Sequence, residues 1–201
     1  MKFHYYLIFL TGFLSVSCNN QIDLEKEEEY FEYRNEILYY KGTPFNGETI
    51  ERWDNKIISN SKKYSEGKLE LFKSFFEDGS LHINQGFKDG KKHGLWEEYY
   101  SPNKLKAKGR YKNDKQSGVI TEYFENGNVM TKLYPENDDI FLEEYFENGN
   151  LKHKIYTPPG QDMYDARFMA DETYNINGDT INKEICMYAE CVFDVPVIFN
   201  Y

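Results

Sequence analysis

The chain has only four histidines, His4, His82, His93 and His153, and three cysteines, Cys18, Cys186 and Cys191. No two histidines stand at ligand spacing and none lies near Cys186 in the chain, which argues against a metal site. There is no Gly-x-Ser-x-Gly, no P-loop and no His-Glu-x-x-His, so the usual signatures of hydrolase, nucleotide and zinc chemistry are missing. The run 87–94 holds glycines and lysines, but its spacing fits no phosphate loop. It reads as a turn at a repeat junction, with His93 exposed. Positive charge is also in deficit. Lys and Arg number 24 against 34 Asp and Glu, for a net charge of -10. That excludes the basic footprint nucleic acid requires and suits a soluble body or a cationic partner. No helix-period segment of useful length occurs within 39–156.

Aromatic residues are plentiful, at 17% with 18 tyrosines, so the composition is not that of a disordered chain. They recur in a phrase. It reads Phe75-Phe76-Glu77-Asp78-Gly79-Ser80-Leu81 and returns as Tyr99-Tyr100-Ser101-Pro102-Asn103-Lys104-Leu105. Further copies are Tyr123-Phe124-Glu125-Asn126-Gly127-Asn128-Val129 and Tyr145-Phe146-Glu147-Asn148-Gly149-Asn150-Leu151, with a weaker one from Arg52. The steps are 23, 24, 24 and 22 residues, a period that signals an array of small units. Each unit reads strand, turn, strand. Asn126-Gly127 and Asn148-Gly149 suit two-residue hairpin loops, with Pro102-Asn103 a less ideal version, which would set Phe124 against Val129, Thr121 against Lys132, Tyr100 against Leu105 and Phe146 against Leu151. Gly47, Gly94 and Gly118 stand at equivalent places, Gly67 and Gly90 mark a second repeated place, and these glycines are expected to be corners between hairpins. The fold expected is all-β: an elongated antiparallel meander of repeated β-hairpins over 37–156, about five units, with a β-rich capping segment over 157–201. Thr157-Pro158-Pro159-Gly160 breaks the repeat, and 174–181 looks like a degenerate further hairpin.

Alternation sorts two faces. One carries Trp96, Ile120, Leu142 and Phe72 as core, with Glu51, Glu98, Glu122 and Glu144 in an acidic column. Stacked like charges cost energy, so the column suits a cationic partner or Ca²⁺, unless neighbouring lysines neutralise it. The paired carboxylates also raise glycoside hydrolysis, against which repetition argues. The opposite face carries Phe75, Tyr99, Tyr123 and Tyr145 with Lys106, Lys108, Lys132 and Lys154. This ladder is the candidate binding surface, for a protein or for sugars, with ordinary sheet packing as the alternative. No catalytic residue, metal or cofactor is expected.

The first 17 residues differ from the rest. Lys2 precedes an apolar run at 5–14, too short to span a membrane, and the sequence Leu14-Ser15-Val16-Ser17-Cys18 follows. This resembles a bacterial lipoprotein signal peptide, over 1–17, in which Cys18 would be lipidated. Ser15 stands where that signal usually has an aliphatic residue. An ordinary signal peptide with a cysteine nearby is the alternative. The acidic stretch 18–36 reads as a solvated tether, with order beginning near Ile37. In an exported chain Cys186 and Cys191 are a candidate disulfide; two buried thiols or a metal site are the other readings.

Gly94-Leu95-Trp96-Glu97-Glu98-Tyr99-Tyr100, the Asn-Gly turns and Tyr111-Lys112-Asn113 resemble the MORN repeat (membrane occupation and recognition nexus). They are closest to its bacterial antitoxin-like variant. The stretch from Ile37 to Gly47, with Pro44-Phe45-Asn46-Gly47, is similar to the opening of those proteins. The resemblance covers roughly 37–156 and implies a non-catalytic scaffold contacting protein or lipid. The expected function is a lipid-anchored protein of the bacterial cell envelope, at the outer membrane and periplasmic or surface-facing, that binds a protein or an envelope polymer. An antitoxin or immunity protein neutralising a toxin is the alternative, and an envelope hydrolase is a third class.

Overall fold

The computed structural model describes residues 21–135, 140–158 and 168–187. Its long strands are β5 (Gly47–Arg52), β6 (Ile58–Ser65), β7 (Lys68–Phe75), β8 (Leu81–Lys88), β9 (Lys91–Ser101), β10 (Lys104–Lys112), β11 (Lys115–Tyr123), β12 (Val129–Leu133), β13 (Ile140–Tyr145), β14 (Leu151–Tyr156), β15 (Phe168–Tyr174) and β16 (Thr180–Met187). Each pairs with the next in sequence, antiparallel throughout, to form an open meander. β1 (Gln21–Asp23) joins β5 in parallel at the first edge, making thirteen strands. The expected all-β hairpin array is therefore the fold.

Two turn chemistries occupy the two ends of the strands. At one end lie the two-residue loops Glu66-Gly67, Asp89-Gly90 and Asn113-Asp114. Both residues of each have positive φ (49 and 76, 49 and 75, 53 and 67), the conformation whose twist matches a hairpin. At the other end the loops have three residues, except Pro102-Asn103 between β9 and β10, which has two. The Phe124 N–H donates to the Asn128 carbonyl and the Gly127 N–H donates to the Phe124 carbonyl, both at 2.9 Å. Gly127, at φ 89, is the left-handed residue of a bulged turn. The same pair of bonds closes 53–57, 76–80, 146–150 and 175–179.

The Asn-Gly pairs are thus not two-residue loops, and the extra residue moves the register. Tyr123 faces Val129, Tyr145 faces Leu151 and Tyr99 faces Leu105, each one residue away from the pairing expected for Phe124, Phe146 and Tyr100. Thr121 does face Lys132, because it lies beyond the bulge. Gly94 and Gly118 are not corners either. They sit inside β9 and β11 at φ 83 and 66, where the strands bulge against Gly86 and Gly109 of their neighbours.

Residues 21–36 are a second correction, since they are folded rather than a solvated tether. Ile22 is 7% exposed in β1, and α1 (Leu24–Glu27) is capped by Asp23. β2 (Phe31–Arg34), β3 (Ile37–Tyr40) and β4 (Thr43–Pro44) form a small separate sheet. Its Leu38 and Phe45 pack with Ile22 and Tyr64 against the first end of the long sheet. Leu38 N–H donates to the Gly67 carbonyl and Gly67 N–H to the Phe45 carbonyl, at 2.8 and 2.7 Å, so this sheet clasps the β6–β7 turn. The apolar residues that drive the docking are interleaved with charges, and burying them outweighs the local acidity. At the other end β15 and β16 extend the sheet by one more hairpin.

Candidate functional site

Strand pairing places Phe75, Tyr99, Tyr123 and Tyr145 on one face with Lys108, Lys132 and Lys154, as expected. Across successive strands one row runs Glu97, Lys108, Thr121, Lys132, Glu143, Lys154, Glu172, Lys183. Opposite charges alternate along much of it, which is the favourable cross-strand order. Beside this row, towards the bulged turns, stand Phe75, Tyr99, Tyr123 and Tyr145. Lys108 lies over the Tyr123 ring at 5.6 Å and Lys132 over the Tyr145 ring at 5.3 Å, while Lys154 caps Tyr156 at 5.2 Å.

The carboxylates of this face are clamped. Glu143 accepts from the hydroxyls of Tyr134 at 2.7 Å and Tyr145 at 2.8 Å, with Lys132 and Lys154 each 3.9 Å away. Burial works to raise its pKa, but the tyrosine hydrogen bonds win and hold it below the ordinary carboxylate value. Burial and then Glu143 push the Tyr145 hydroxyl up. Glu172 repeats the device with Tyr156, Tyr174 and Lys183. Led by the Lys183 hydrogen bond, these bring it down to about 2. Glu97, Glu143 and Glu172 escaped the sequence reading. A signal was present in the doublets Glu97-Glu98 and Glu143-Glu144, since adjacent strand residues serve opposite faces.

Lys106 was expected on this face and lies on the other. The irregular pairing between Leu105 and Ala107 reverses the alternation there, and its Nζ donates to Glu98 at 2.7 Å. On that second face the acidic column is real: Glu98, Glu122 and Glu144 occupy one row on alternate strands. Ala107 separates the first pair and Thr131 the second. Carboxylates two strands apart are about 10 Å from each other, so they do not stack. Each has local compensation. Glu51 pairs with Lys62 at 3.3 Å and Glu144 with His153 at 3.2 Å. Glu122 has Thr131 as a hydrogen-bond partner, and burial raises its pKa. Among the described residues no group of three or more His, Cys, Asp or Glu is arranged to hold a metal ion.

The same face carries Trp96, Ile120 and Leu142, buried as expected for the core, joined by Ile155; Phe72, also expected there as core, is only half-buried and lines a groove. That groove, of about 350 Å³, opens between β7 and β10 around Trp96 and Gln85. Cys186 lies in β16, opposite Met169. Cys18 and Cys191 fall outside the described residues, so the proposed lipidation and disulfide positions do too. No family model and no curated protein matches the chain.

Proposed function

We propose that the chain is a lipid-anchored protein of the bacterial cell envelope whose ladder face holds another protein or a surface polymer, without chemistry on what it holds. One observation carries this reading. Phe75, Tyr99, Tyr123 and Tyr145 recur on β7, β9, β11 and β13, alternate strands of one open sheet. Their spacing is therefore about 10 Å per step. An evenly spaced aromatic row with lysines beside it offers a repeating ligand the same contact several times, and several weak contacts add to firm attachment. The resemblance to MORN repeats and the lipoprotein-like start support the scaffold role and the envelope location.

The test is crosslinked co-purification from native cells. The full-length protein is compared with a Tyr99→Ser, Tyr123→Ser variant that spares Tyr145, whose hydroxyl holds Glu143. Loss of one dominant partner or glycan from the variant, with an unchanged β-sheet circular dichroism spectrum, is the expected result. Equal recovery by both proteins overturns the ladder face as the binding surface, and a toxin as the partner moves the assignment to an immunity protein.

A further inference from the structure

Four Asn-Gly pairs occur in the chain: Asn46-Gly47, Asn126-Gly127, Asn148-Gly149 and Asn177-Gly178. Glycine has no side chain to shield its backbone nitrogen, so that nitrogen is open to attack the side-chain amide of the asparagine before it. The attack requires the asparagine side chain to swing back onto its own backbone. In three of the pairs a bond to the side chain opposes this. Asn46 Oδ1 accepts from the Glu66 N–H at 2.7 Å. Asn126 Oδ1 accepts from the Asn128 N–H at 2.9 Å, and Asn148 Oδ1 from the Asn150 N–H at 3.0 Å. Their Nδ2 atoms donate to the following turn, to the Glu147 and Ile176 carbonyls at 3.1 and 3.0 Å.

Asn177 has neither bond. It occupies the place of Asn126 and Asn148 in the last described turn, which begins on Asn175 where the other two begin on Phe124 and Phe146. Asn175 Oδ1 accepts from both the Asn177 and the Asp179 N–H groups, at 2.9 and 3.0 Å. The N–H that would hold the Asn177 side chain is thereby taken. No later turn stands among the described residues to receive its Nδ2, and its side chain has no hydrogen-bond partner among them. Asn126, Asn148 and Asn177 are all exposed, and their three glycine N–H groups donate the same turn bond. Restraint of the side chain is what separates them.

We propose that Asn177 is a site of self-modification, where the folded chain deamidates without an enzyme. The Gly178 nitrogen bonds to Asn177 Cγ, the Cγ–Nδ2 bond breaks, and the nitrogen's proton leaves with the amide as ammonia. Water then opens the resulting succinimide ring at either carbonyl, giving aspartate or isoaspartate. Both products place a negative charge two residues from Asp179, where like charges repel. Isoaspartate also adds a methylene to the backbone just after the Ile176 carbonyl, which receives Asn148 and Asn150. Ageing at this one place therefore loosens the last seam of the array. The site lies away from the ladder face and stands or falls independently of the proposed function.

The test is peptide mapping by mass spectrometry. The full-length protein is held in mildly alkaline buffer made with heavy-oxygen water, so that conversion in the fold is labelled and conversion during digestion is not. Asn177 should convert about fivefold or more faster than Asn126 and Asn148, the factor for two modest hydrogen bonds that need not break. In strong denaturant the three should convert at similar rates, since the dipeptide is the same. An Asn175→Phe variant, which copies the other two turns, returns the Asp179 N–H to Asn177 and should slow it. Equal rates in the folded protein would overturn the proposal, as would an absence of label at Asn177. The same lead for Asn177 in denaturant, or an unchanged rate in the Asn175→Phe variant, would overturn it too, since the fold would not then be the cause.

Discussion

Gly86 of β8 lies directly beneath the His93 carbonyl of β9, and a Cβ at residue 86 would overlap that oxygen. The bulge around Gly94 brings the two backbones this close, and only a residue without a side chain permits it. Gly86→Ala should therefore cost about 1–3 kcal/mol, the range for forced overpacking. Gly109 is the counterpart in the next unit, but what crowds it is the Cδ1 of Ile120, which is 1% exposed. A side chain can be trimmed where a backbone cannot. Urea denaturation should show most of the Gly109→Ala cost recovered in an Ile120→Val background. Purely additive costs in that double mutant would refute the contact.

Lys56 holds the left-handed place of the first bulged turn at φ 70, where the turns at 76–80, 124–128, 146–150 and 175–179 have glycine. A residue with a Cβ is strained there. Lys56→Gly should stabilise the protein by about 0.5–1 kcal/mol, after the extra freedom glycine gives the unfolded chain is discounted. Its ion pair with Glu25, at 3.6 Å, is exposed and its loss adds little. A melting temperature that stays level or falls would count against the strain.

The bulged turns are stitched to one another. Asn126 and Asn128 both donate through Nδ2 to the Glu147 carbonyl of the following turn, at 3.1 and 2.7 Å. Asn126 Oδ1 also accepts from the Asn128 N–H at 2.9 Å, within its own turn. Asn128→Ala removes one bond and should cost about 0.5–1.5 kcal/mol, and Asn126→Ala should cost more because it removes two. Equal denaturation midpoints for the two variants would show that the bond inside the turn contributes nothing.

His153 stands between two carboxylates, with Nε2 2.8 Å from Asp171 and Nδ1 3.2 Å from Glu144. Only the doubly protonated ring donates to both. The Glu144 hydrogen bond, against the effect of burial, raises the His153 pKa above its ordinary 6.5, and the same bond lowers Glu144 below 4.5. The histidine contribution is therefore complete below pH 6.5 and is lost as pH rises through the elevated value. The Glu144 contribution is present above 4.5 and is lost as pH falls through the depressed value. The clamp should be strongest between about pH 4.5 and 6.5. His153→Gln should destabilise more at pH 6 than at pH 8.5. The same penalty at both values would show that the ring is not charged in the fold.

The array was legible in the chain because its phrase repeats at 23, 24, 24 and 22 residues, and alternation put Tyr99, Tyr123, Tyr145 and the ladder lysines on one face. What escaped depends on single-residue geometry or distant pairing. Asn-Gly serves two-residue and three-residue loops alike, so composition did not reveal the bulge that shifts Tyr123 onto Val129. The same kind of irregularity carries Lys106 to the other face. Ile22 sits among polar residues, and only its meeting with Thr49 in β5 makes a strand of that stretch. Gln85 has no periodicity or motif to mark it.

The stitching between turns has a direction. Asn55 donates to Glu77, Asn126 and Asn128 to Glu147, and Asn148 and Asn150 to Ile176, in each case to the turn that comes later in the chain. A unit of this kind is read head to tail: it takes a donor from the one before and offers one to the one after. Units whose turns carry these asparagines meet their neighbours through one kind of seam, so a unit of this kind fits beside another without new partners. The last described turn ends the series differently. Asn175 turns its amide inward to Asp179 at 2.9 Å, and a carboxylate there stands where Asn128 and Asn150 offer a donor.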